Sequence, residues 1–389
     1  MALTLEAIKG RVSDLDSHEQ ISHVKYGEVF GDRGERFLKA SADLFRLATE
    51  KRKGTDEGND NFVPDTVEIT EKTVWENKGV TAPSHADMDR RPAVMDMMGI
   101  QRQLVFPTMG LFALSQALGG LHNISSEEER VVAWEAVDAY NEWAAGLTAK
   151  YPDRLWIATL LKSAKPGITV EDLIAETGRL IKLGAKAMFI PSGLPPAGLS
   201  PSDPALDPFY ALMAEANVSL VTHPPGGVGF YSKPWEKPRM ISGLRKHMAE
   251  ENFVASLVSG GVFERHPTLR FAAIECGSSW LGPLAEFLDF WADESRAPRT
   301  AGSQFNYAYS LKPSEYIARN VRVTPWNFEP VEIYFDRYPH LQDCYCYSSD
   351  FPHVEGQQYS LQKFYENISP LGDKIVEKFF CTNGALVLP

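Results

Sequence analysis

The chain has 389 residues, of which 44% are hydrophobic and 23% charged, and it carries a net charge of −12. This length is sufficient for one large domain or two smaller ones. The acidic balance excludes nucleic acid and anionic membranes as main partners, because both require a basic protein surface. No apolar run reaches the about 18 residues of a membrane span. The start, MALTLEAIKGR, lacks the pattern of a signal peptide.

The four cysteines do not indicate a disulfide framework. Cys344 and Cys346 are separated by one residue within a predicted strand, where they face one side but are poorly placed to form a bridge. We therefore expect a cytoplasmic protein with reduced cysteines.

Short β-rich runs alternate with helical patterns along the chain. One such helical pattern is Glu127–Lys150, where Trp134, Val137 and Tyr140 recur at helical spacing. Eight strands separated by helices predict an α/β protein with a parallel sheet, and the count favours a (β/α)₈ barrel, the TIM barrel, over an open sheet. The predicted strands are Arg11–Ser17, Gln101–Thr108, Arg154–Lys162, Ala185–Pro191, Val218–His223, Arg270–Cys276, Asn320–Thr324 and Asp343–Asp350.

The region from Lys25 to Ser84 does not follow the alternation of strands and helices. It is polar and has KRKGTDEGNDN near its centre. We interpret residues 25–84 as an insertion after the first strand, within a single domain that spans residues 1–389.

Metal-capable side chains occur at the ends of four predicted strands, where barrel active sites lie. Asp16 and His18 end the first strand, and the twofold period of a strand places both on one face. His223 ends the fifth strand, Glu275 the sixth and Asp350 the eighth. Their convergence at one barrel mouth predicts a metal site.

Each of these residues also has an ordinary structural explanation. A single histidine at a strand end is usually structural, Asp350 is a suitable helix cap, and Glu275 could pair with Arg270. The metal hypothesis therefore depends on the combination of four strand ends rather than on any one residue.

The chain resembles the amidohydrolase superfamily, in the branch that includes aminocarboxymuconate semialdehyde decarboxylase. The resemblance covers most of the chain and is carried by DLDSH, RRPAVMDMMGIQRQLVFPT, VTHPP, GGVFERHPTLRFAAIECGSSWL and YSSDFPHVEG. It implies a distorted (β/α)₈ barrel with a metal at its mouth. By position, the implied ligands are Asp16, His18, His223, Glu275 and Asp350.

Two positions depart from the pattern of this superfamily. Asp16 replaces the first histidine of the strand-one pair, and Glu275 replaces the histidine of strand six. The resulting set of two histidines and three carboxylates favours iron or manganese over zinc and has enough ligands for one ion or two.

The missing strand-six histidine also affects the expected chemistry, because that group moves protons in the family's hydrolases and decarboxylases. His247, before the sixth strand, is a candidate replacement. His353, beside Asp350, is a second candidate, either for catalysis or for orienting a ligand.

Three functions remain open from the sequence. We favour an oxygen-activating non-haem Fe/Mn hydroxylase, a monooxygenase of a small carboxylic or amino acid, because the anionic ligand set is similar to that of 2-aminoisobutyrate hydroxylase subunits. The second is a non-oxidative decarboxylase or a metal-dependent hydrolase, for which zinc is also suitable. The third is a non-catalytic, metal-bearing partner subunit.

Substrate and partner contacts are harder to predict. Arg90, Arg91, Arg239 and Lys186 are possible carboxylate partners, although we expect a surface or structural role for each. The aromatic loop GGVGFYSKPW after His223 suits either a pocket wall or a subunit interface. We expect a homo- or hetero-oligomer.

Overall fold

The computed structural model describes residues 3–42, 65–119, 126–224, 247–293 and 307–389. Within them, parallel strands alternate with helices, as predicted. Seven strands have ladder pairing, and the third is split into two short pieces. In chain order they are Val12–Glu19, Ile100–Pro107, Leu155–Ile157 with Thr159–Leu160, Ala187–Phe189, Ser219–Thr222, Arg270–Ala273 and Val321–Val323.

The split third strand joins two runs of paired strands. Its first piece pairs with the second strand and its last piece with the fourth. Between them, the Ala158 amide donates to the Val105 carbonyl oxygen at 2.9 Å, so the backbone crosses from one neighbour to the other without leaving the sheet. The wall is therefore continuous from the first strand to the seventh.

An eighth extended segment, residues 344–351, closes the barrel between the seventh strand and the first. The Val323 amide donates to the Cys344 carbonyl oxygen at 2.9 Å on one side. On the other side, the Leu15 amide donates to Tyr347 at 3.1 Å and the His18 amide to Phe351 at 2.7 Å. These bonds, with bridges at Tyr345 and Phe351, confirm the predicted (β/α)₈ barrel.

Several strands end earlier than the sequence suggested. The fifth ends at Thr222 and the sixth at Ala273, one and three residues before the predicted ends. The polar residues beyond these ends have left the hydrogen-bonded ladder and lie at the barrel mouth, so both strands are shorter than predicted. The first strand, in contrast, extends to Glu19, beyond its predicted end at Ser17.

The helices surround this barrel. The helix Glu127–Lys150 begins with a reciprocal capping box between Ser126 and Glu129, and it buries Trp134, Val137 and Tyr140 against the wall. The other α-helices are Leu5–Ile8, Tyr26–Ala40, Glu71–Glu76, Arg91–Met98, Met109–Ala117, Val170–Lys182, Asp207–Glu215, Met248–Ser259, Val262–Arg265, Leu281–Ala292, Pro313–Asn320, Val331–Arg337, Ser360–Ile368 and Asp373–Glu377. No helix in these ranges is both long and apolar enough to cross a membrane.

The predicted insertion is only partly described. Residues 43–64, which include KRKGTDEGNDN, and the loop GGVGFYSKPW lie outside the described residues. The later part of the insertion is attached to the eighth segment, because the Gly79 amide donates to the Pro352 carbonyl oxygen at 2.7 Å. This contact places the insertion beside the barrel mouth.

Candidate metal centre

Six side chains from four strand ends converge inside the barrel mouth. They form two overlapping groups, Asp16, His18, His223 and Glu275, and His18, Glu275, Asp350 and His353. In each group the potential ligand atoms all lie within 4.8 Å of one another. The structure thus brings together all five ligands predicted from the sequence and adds His353.

Ring nitrogens face carboxylate oxygens throughout the cluster. His18 Nε2 lies 3.4 Å from Asp16 Oδ1 and 3.5 Å from Asp350 Oδ1. His223 Nε2 lies 2.8 Å from Glu275 Oε2 and 3.6 Å from Asp16 Oδ1. Glu275 therefore contacts a histidine of the cluster. A metal ligand would lie in this position, whereas a partner of Arg270 would not.

Several of these atoms are buried without a hydrogen-bond partner in the described part of the chain. They include Asp16 Oδ1, His18 Nε2 and Asp350 Oδ2. Asp16 and His18 are each only 1% exposed, so bulk solvent does not reach these side chains. Buried carboxylates and imidazoles are rarely left unsatisfied, and a cation would satisfy all three atoms at once. The site therefore fits a divalent metal held by nitrogen and carboxylate ligands.

A buried arginine fixes the end of the first strand. Arg91 donates to the His18 carbonyl oxygen at 2.7 Å, to Ser84 Oγ at 2.8 Å and to Gln103 Oε1 at 3.2 Å. Our expectation of a surface role for Arg91 was wrong, because this side chain is fully buried. Its guanidinium is satisfied by neutral acceptors around the strand tip, and it thereby positions His18.

Glu275 and Asp350 have left-handed backbone conformations, with φ of 55° and 52°. This region is sparsely populated by residues other than glycine and asparagine, and it persists only where the surroundings impose it. Here the Glu275 amide donates to Thr324 Oγ1 at 3.0 Å, and the Asp350 amide donates to the Asp16 carbonyl oxygen at 2.8 Å. The strained backbone turns both carboxylates into the mouth.

Outer contacts orient the three imidazoles. His223 Nδ1 faces the Pro224 carbonyl oxygen, which in the neutral ring places the proton on Nδ1 and leaves Nε2 directed into the cluster. Thr108 Oγ1 lies 3.3 Å from both His18 Nδ1 and His353 Nε2. His353 stacks on His18 with ring centroids 3.8 Å apart. Thr108 ends the second strand, and the sequence analysis missed it because a single threonine carries no metal signal.

The charges of the cluster shift its proton affinities. Burial lowers the pKa of His18, whereas burial raises the pKa of Asp350 to about 7. For His223, burial lowers the pKa, but Glu275 and Asp16 oppose this more strongly and raise it to about 10. For His353, burial is likewise outweighed by Asp350, and the pKa rises to about 9. In the absence of a cation, protons on His223 and His353 balance the carboxylates.

A second buried aspartate, Asp14, supports the cluster from below. Asp14 is fully buried and accepts hydrogen bonds from the Ser349 amide at 2.8 Å, Ser349 Oγ at 2.6 Å and Gln103 Nε2 at 2.8 Å. These bonds connect the strand of Asp16 to the segment of Asp350. Sequence alone did not identify Asp14, because it is one more acid in the motif DLDSH.

Glu250 is another buried acid that the sequence analysis missed. It is fully buried, and its Oε1 accepts from Ser192 Oγ at 2.8 Å and Thr222 Oγ1 at 3.4 Å. Cys276 contributes a further hydrogen bond. Glu250 therefore connects the residue before His223 to the residue after Glu275.

His247, the other predicted catalytic residue, is not part of the cluster. It is half-buried, and its Nε2 lies 3.8 Å from Glu251 Oε2 on the same helix. Burial lowers the pKa of His247. Its role in catalysis stays a prediction without a supporting contact.

The chain belongs to the amidohydrolase family, whose model matches residues 85–389. This range contains His223, Glu275, Asp350 and His353, whereas Asp16 and His18 precede it. The family assignment and the convergent ligands together define a metal-dependent enzyme with an amidohydrolase fold. No curated protein matches the chain.

Solved structures share the fold over nearly the whole chain. The amidohydrolase map2389c from Mycobacterium avium subsp. paratuberculosis K-10 is 21% identical, with a TM-score of 0.63, and the match covers 97% of this chain and 99% of that one. The 2,6-dihydroxybenzoate decarboxylase from Rhizobium is 16% identical, with a TM-score of 0.58 and coverage of 97% and 98%. The dihydroxybenzoic acid decarboxylase from Polaromonas sp. JS666, with bound manganese and the inhibitor 2-nitroresorcinol, is 16% identical, with a TM-score of 0.56 and coverage of 97% and 96%.

Proposed function

We propose that the protein is a metal-dependent, non-oxidative decarboxylase of a small carboxylic acid, most simply a hydroxylated aromatic acid. The observation that carries the proposal is the convergence of six metal-capable side chains at the barrel mouth. It is supported by the structural neighbours, several of which are named decarboxylases of benzoic acids. The monooxygenase that we favoured from the sequence has no such support among these neighbours.

Asp16, His18, His223, Glu275 and Asp350 would hold the ion. A divalent cation in this position supplies positive charge that orients an acidic substrate and stabilises negative charge developing on it. Three carboxylates among the ligands favour manganese or iron over zinc, because hard oxygen donors suit the harder ions. We therefore propose manganese first, with iron and zinc as the alternatives to be tested.

His353 is the residue best placed to supply a proton. Decarboxylation breaks the bond between the ring carbon and the carboxylate carbon, releases CO₂ and leaves the electron pair on the ring carbon, which must take up a proton. His353 Nδ1 lies 3.0 Å from Asp350 Oδ1, and this contact raises the pKa of His353 to about 9. An imidazole in this position is suited to proton transfer, and its side chain remains 21% exposed at the mouth. We propose that it takes the place of the histidine that Glu275 replaces.

A dioxygen-dependent Fe/Mn hydroxylase is the second candidate, and one observation favours it. The two overlapping groups of potential ligands comprise six side chains in all, which would be enough to hold two ions. Two histidines with carboxylates also suit oxygen-activating iron. This candidate predicts a different metal content and a requirement for dioxygen.

A single set of assays separates these functions. The metal-free protein is loaded with Mn²⁺, Fe²⁺ or Zn²⁺ and incubated with hydroxybenzoates and with amino acids, with and without oxygen. We expect CO₂ release in the manganese form without oxygen, and a large decrease in the variant His353→Gln with the manganese content unchanged. Oxygen consumption coupled to hydroxylation in the iron form would establish the second candidate. Absence of both reactions would favour a hydrolase or a partner subunit.

A further inference from the structure

Lys78 is a cation beside the barrel mouth that the metal cluster does not use. It follows the helix Glu71–Glu76 in the inserted region. Its Nζ donates to the Gly356 carbonyl oxygen at 2.5 Å, and the next residue, Gly79, donates from its amide to Pro352. Both acceptors flank His353, so Lys78 is attached to the turn that carries Asp350 and His353.

The ammonium of Lys78 has no carboxylate within ion-pair distance among the described residues. Its one direct contact there is the Gly356 carbonyl oxygen, which leaves two of its three N–H groups for other acceptors. Lys162, also half-buried, shows the usual arrangement, with Asp138 at 2.6 Å and Glu176 at 3.6 Å. Burial lowers the pKa of Lys78 to about 8, against the opposing charge of Asp350. A partly buried cation that lacks a counterion is suited to binding an external anion.

The charge of the metal centre favours such a cation for binding an acidic substrate. The three carboxylates of the proposed ligand set offset the charge of one divalent ion, which weakens the attraction of that ion for a substrate carboxylate. Arg91 is a second cationic side chain beside this cluster, and its donors are already engaged by Ser84, Gln103 and the His18 carbonyl oxygen. Of these two side chains, Lys78 is therefore the one with N–H groups left to receive an anion, within the described residues.

We propose that Lys78 is the anion-recognition residue of this site and binds the carboxylate or another acidic oxygen of a small organic acid placed over the metal cluster. The inference rests on the proposed function for the position of the substrate, but it concerns binding and not turnover. It predicts that the protein distinguishes an acid from the neutral amide of the same shape.

The test compares two probes of equal shape, 2,6-dihydroxybenzoate and its neutral primary amide. Their binding to the full-length protein is measured by calorimetry at pH 7, with and without manganese. We expect Lys78→Met to weaken binding of the acid at least about tenfold, since the charged partner is lost, and to change binding of the amide less than about threefold. Lys78→Arg should restore most of the affinity for the acid. The matched control is Lys72→Met, because Lys72 lies on the exposed surface of the helix Glu71–Glu76 that precedes Lys78. This variant should bind both probes like the wild type.

Other outcomes would overturn the inference. Equal losses for both probes would show that Lys78 only shapes the mouth, and unchanged binding of the acid would show that it takes no part. A wild-type protein without preference for the acid would also overturn it. If the acid binds in a Lys78-dependent way but no CO₂ is released, the proposed function fails while this inference stands. Decarboxylation with an unchanged KM in Lys78→Met would leave the function standing and remove the inference.

Discussion

Asp14 and Asp16 lie two residues apart on the same strand and are both almost fully buried, yet their surroundings are opposite. The carboxylate of Asp14 receives hydrogen bonds from Ser349 and Gln103. In contrast, Asp16 Oδ1 has no hydrogen-bond partner in the described residues and faces the Nε2 atoms of two histidines. Protein donors satisfy the first aspartate, whereas the second lies where a metal ligand would lie.

This difference is the one that we expect between a structural acid and a metal ligand. Burial costs both carboxylates their hydration, so each needs compensation inside the protein. Where hydrogen bonds provide it, substitution should affect the free energy of unfolding. Where a metal would provide it, substitution should affect metal affinity.

The largest expected effect is on metal binding in Asp16→Asn. The substitution keeps the size of the side chain but removes the charge, and we expect manganese affinity to decrease by more than about 100-fold, beyond the 10–100-fold loss typical for a residue that only orients a ligand. Competition with a chelator, followed by elemental analysis, measures this. His18→Ala and Asp350→Asn should behave alike. If Asp16→Asn retained full metal occupancy, Asp16 would be a structural acid like Asp14.

The second prediction is that Asp14→Asn lowers stability by about 1–3 kcal/mol, because the new amide group leaves at least one buried donor without an acceptor. Urea unfolding of the metal-free protein measures the change. Metal affinity should decrease less than in Asp16→Asn. If Asp14→Asn lost metal but not stability, the comparison between the two aspartates would be reversed.

Asp14 should also give a characteristic pH dependence. Burial raises its pKa in the folded protein from 3.8 to about 7, despite the hydrogen bonds that lower it. The folded state therefore holds this proton more tightly, so the contribution to stability is complete below pH 3.8 and is lost as the pH rises through about 7. The stability difference between wild type and Asp14→Asn should accordingly decrease from pH 4.5 to pH 8. A difference that grows with pH would contradict the assigned surroundings.

The third prediction extends the comparison to Glu275, which contacts His223 at 2.8 Å. If Glu275 is a ligand, Glu275→Gln should lower metal affinity by more than about 100-fold, as for Asp16→Asn, and leave the unfolding of the metal-free protein little changed. If Glu275 is only an ion-pair partner of His223, the free energy of unfolding of the same variant should decrease by on the order of 3–5 kcal/mol, and the metal should be retained. Glu275→His should shift preference toward zinc. Elemental analysis and melting curves of the two variants distinguish a metal ligand from an ion-pair partner.

The smallest expected effect is that of His247→Ala. His247 contacts Glu251 and not the cluster, so metal content and turnover should change less than about twofold. The same measurements on His353→Gln provide the contrast. A loss of turnover in His247→Ala would restore the catalytic role expected from the sequence.

The barrel and the convergence of the five proposed ligands at its mouth could be predicted because each depends on a pattern along the chain. Alternating strands and helices specified the fold, and the position of a polar residue at a strand tip specified its place at the mouth. The ligand prediction therefore needed no contact information. Arg91 was misjudged for the opposite reason, since its burial depends on acceptors from Ser84 and Gln103 that come together only in the folded protein.

The supporting residues were not predictable for the same physical reason. Thr108, Asp14 and Glu250 each act through hydrogen bonds to residues that are distant in sequence, and their residue types are common at strand ends and in helices. Glu250, for example, lies in an ordinary helical stretch, and its burial depends on Ser192 and Thr222. His353 was recognised only as a neighbour of Asp350, whereas its stacking on His18 makes it part of the cluster.

The closing contacts between the first strand and residues 344–351 determine when the site can exist. Asp16 and His18 are synthesised near the beginning of the 389-residue chain, and Asp350 near its end. On the ribosome, the early residues are therefore exposed long before their partners emerge, and they provide only one imidazole and one carboxylate for any ion they meet. We therefore expect the complete set of proposed ligands to form only after residues 344–351 have docked against the first strand.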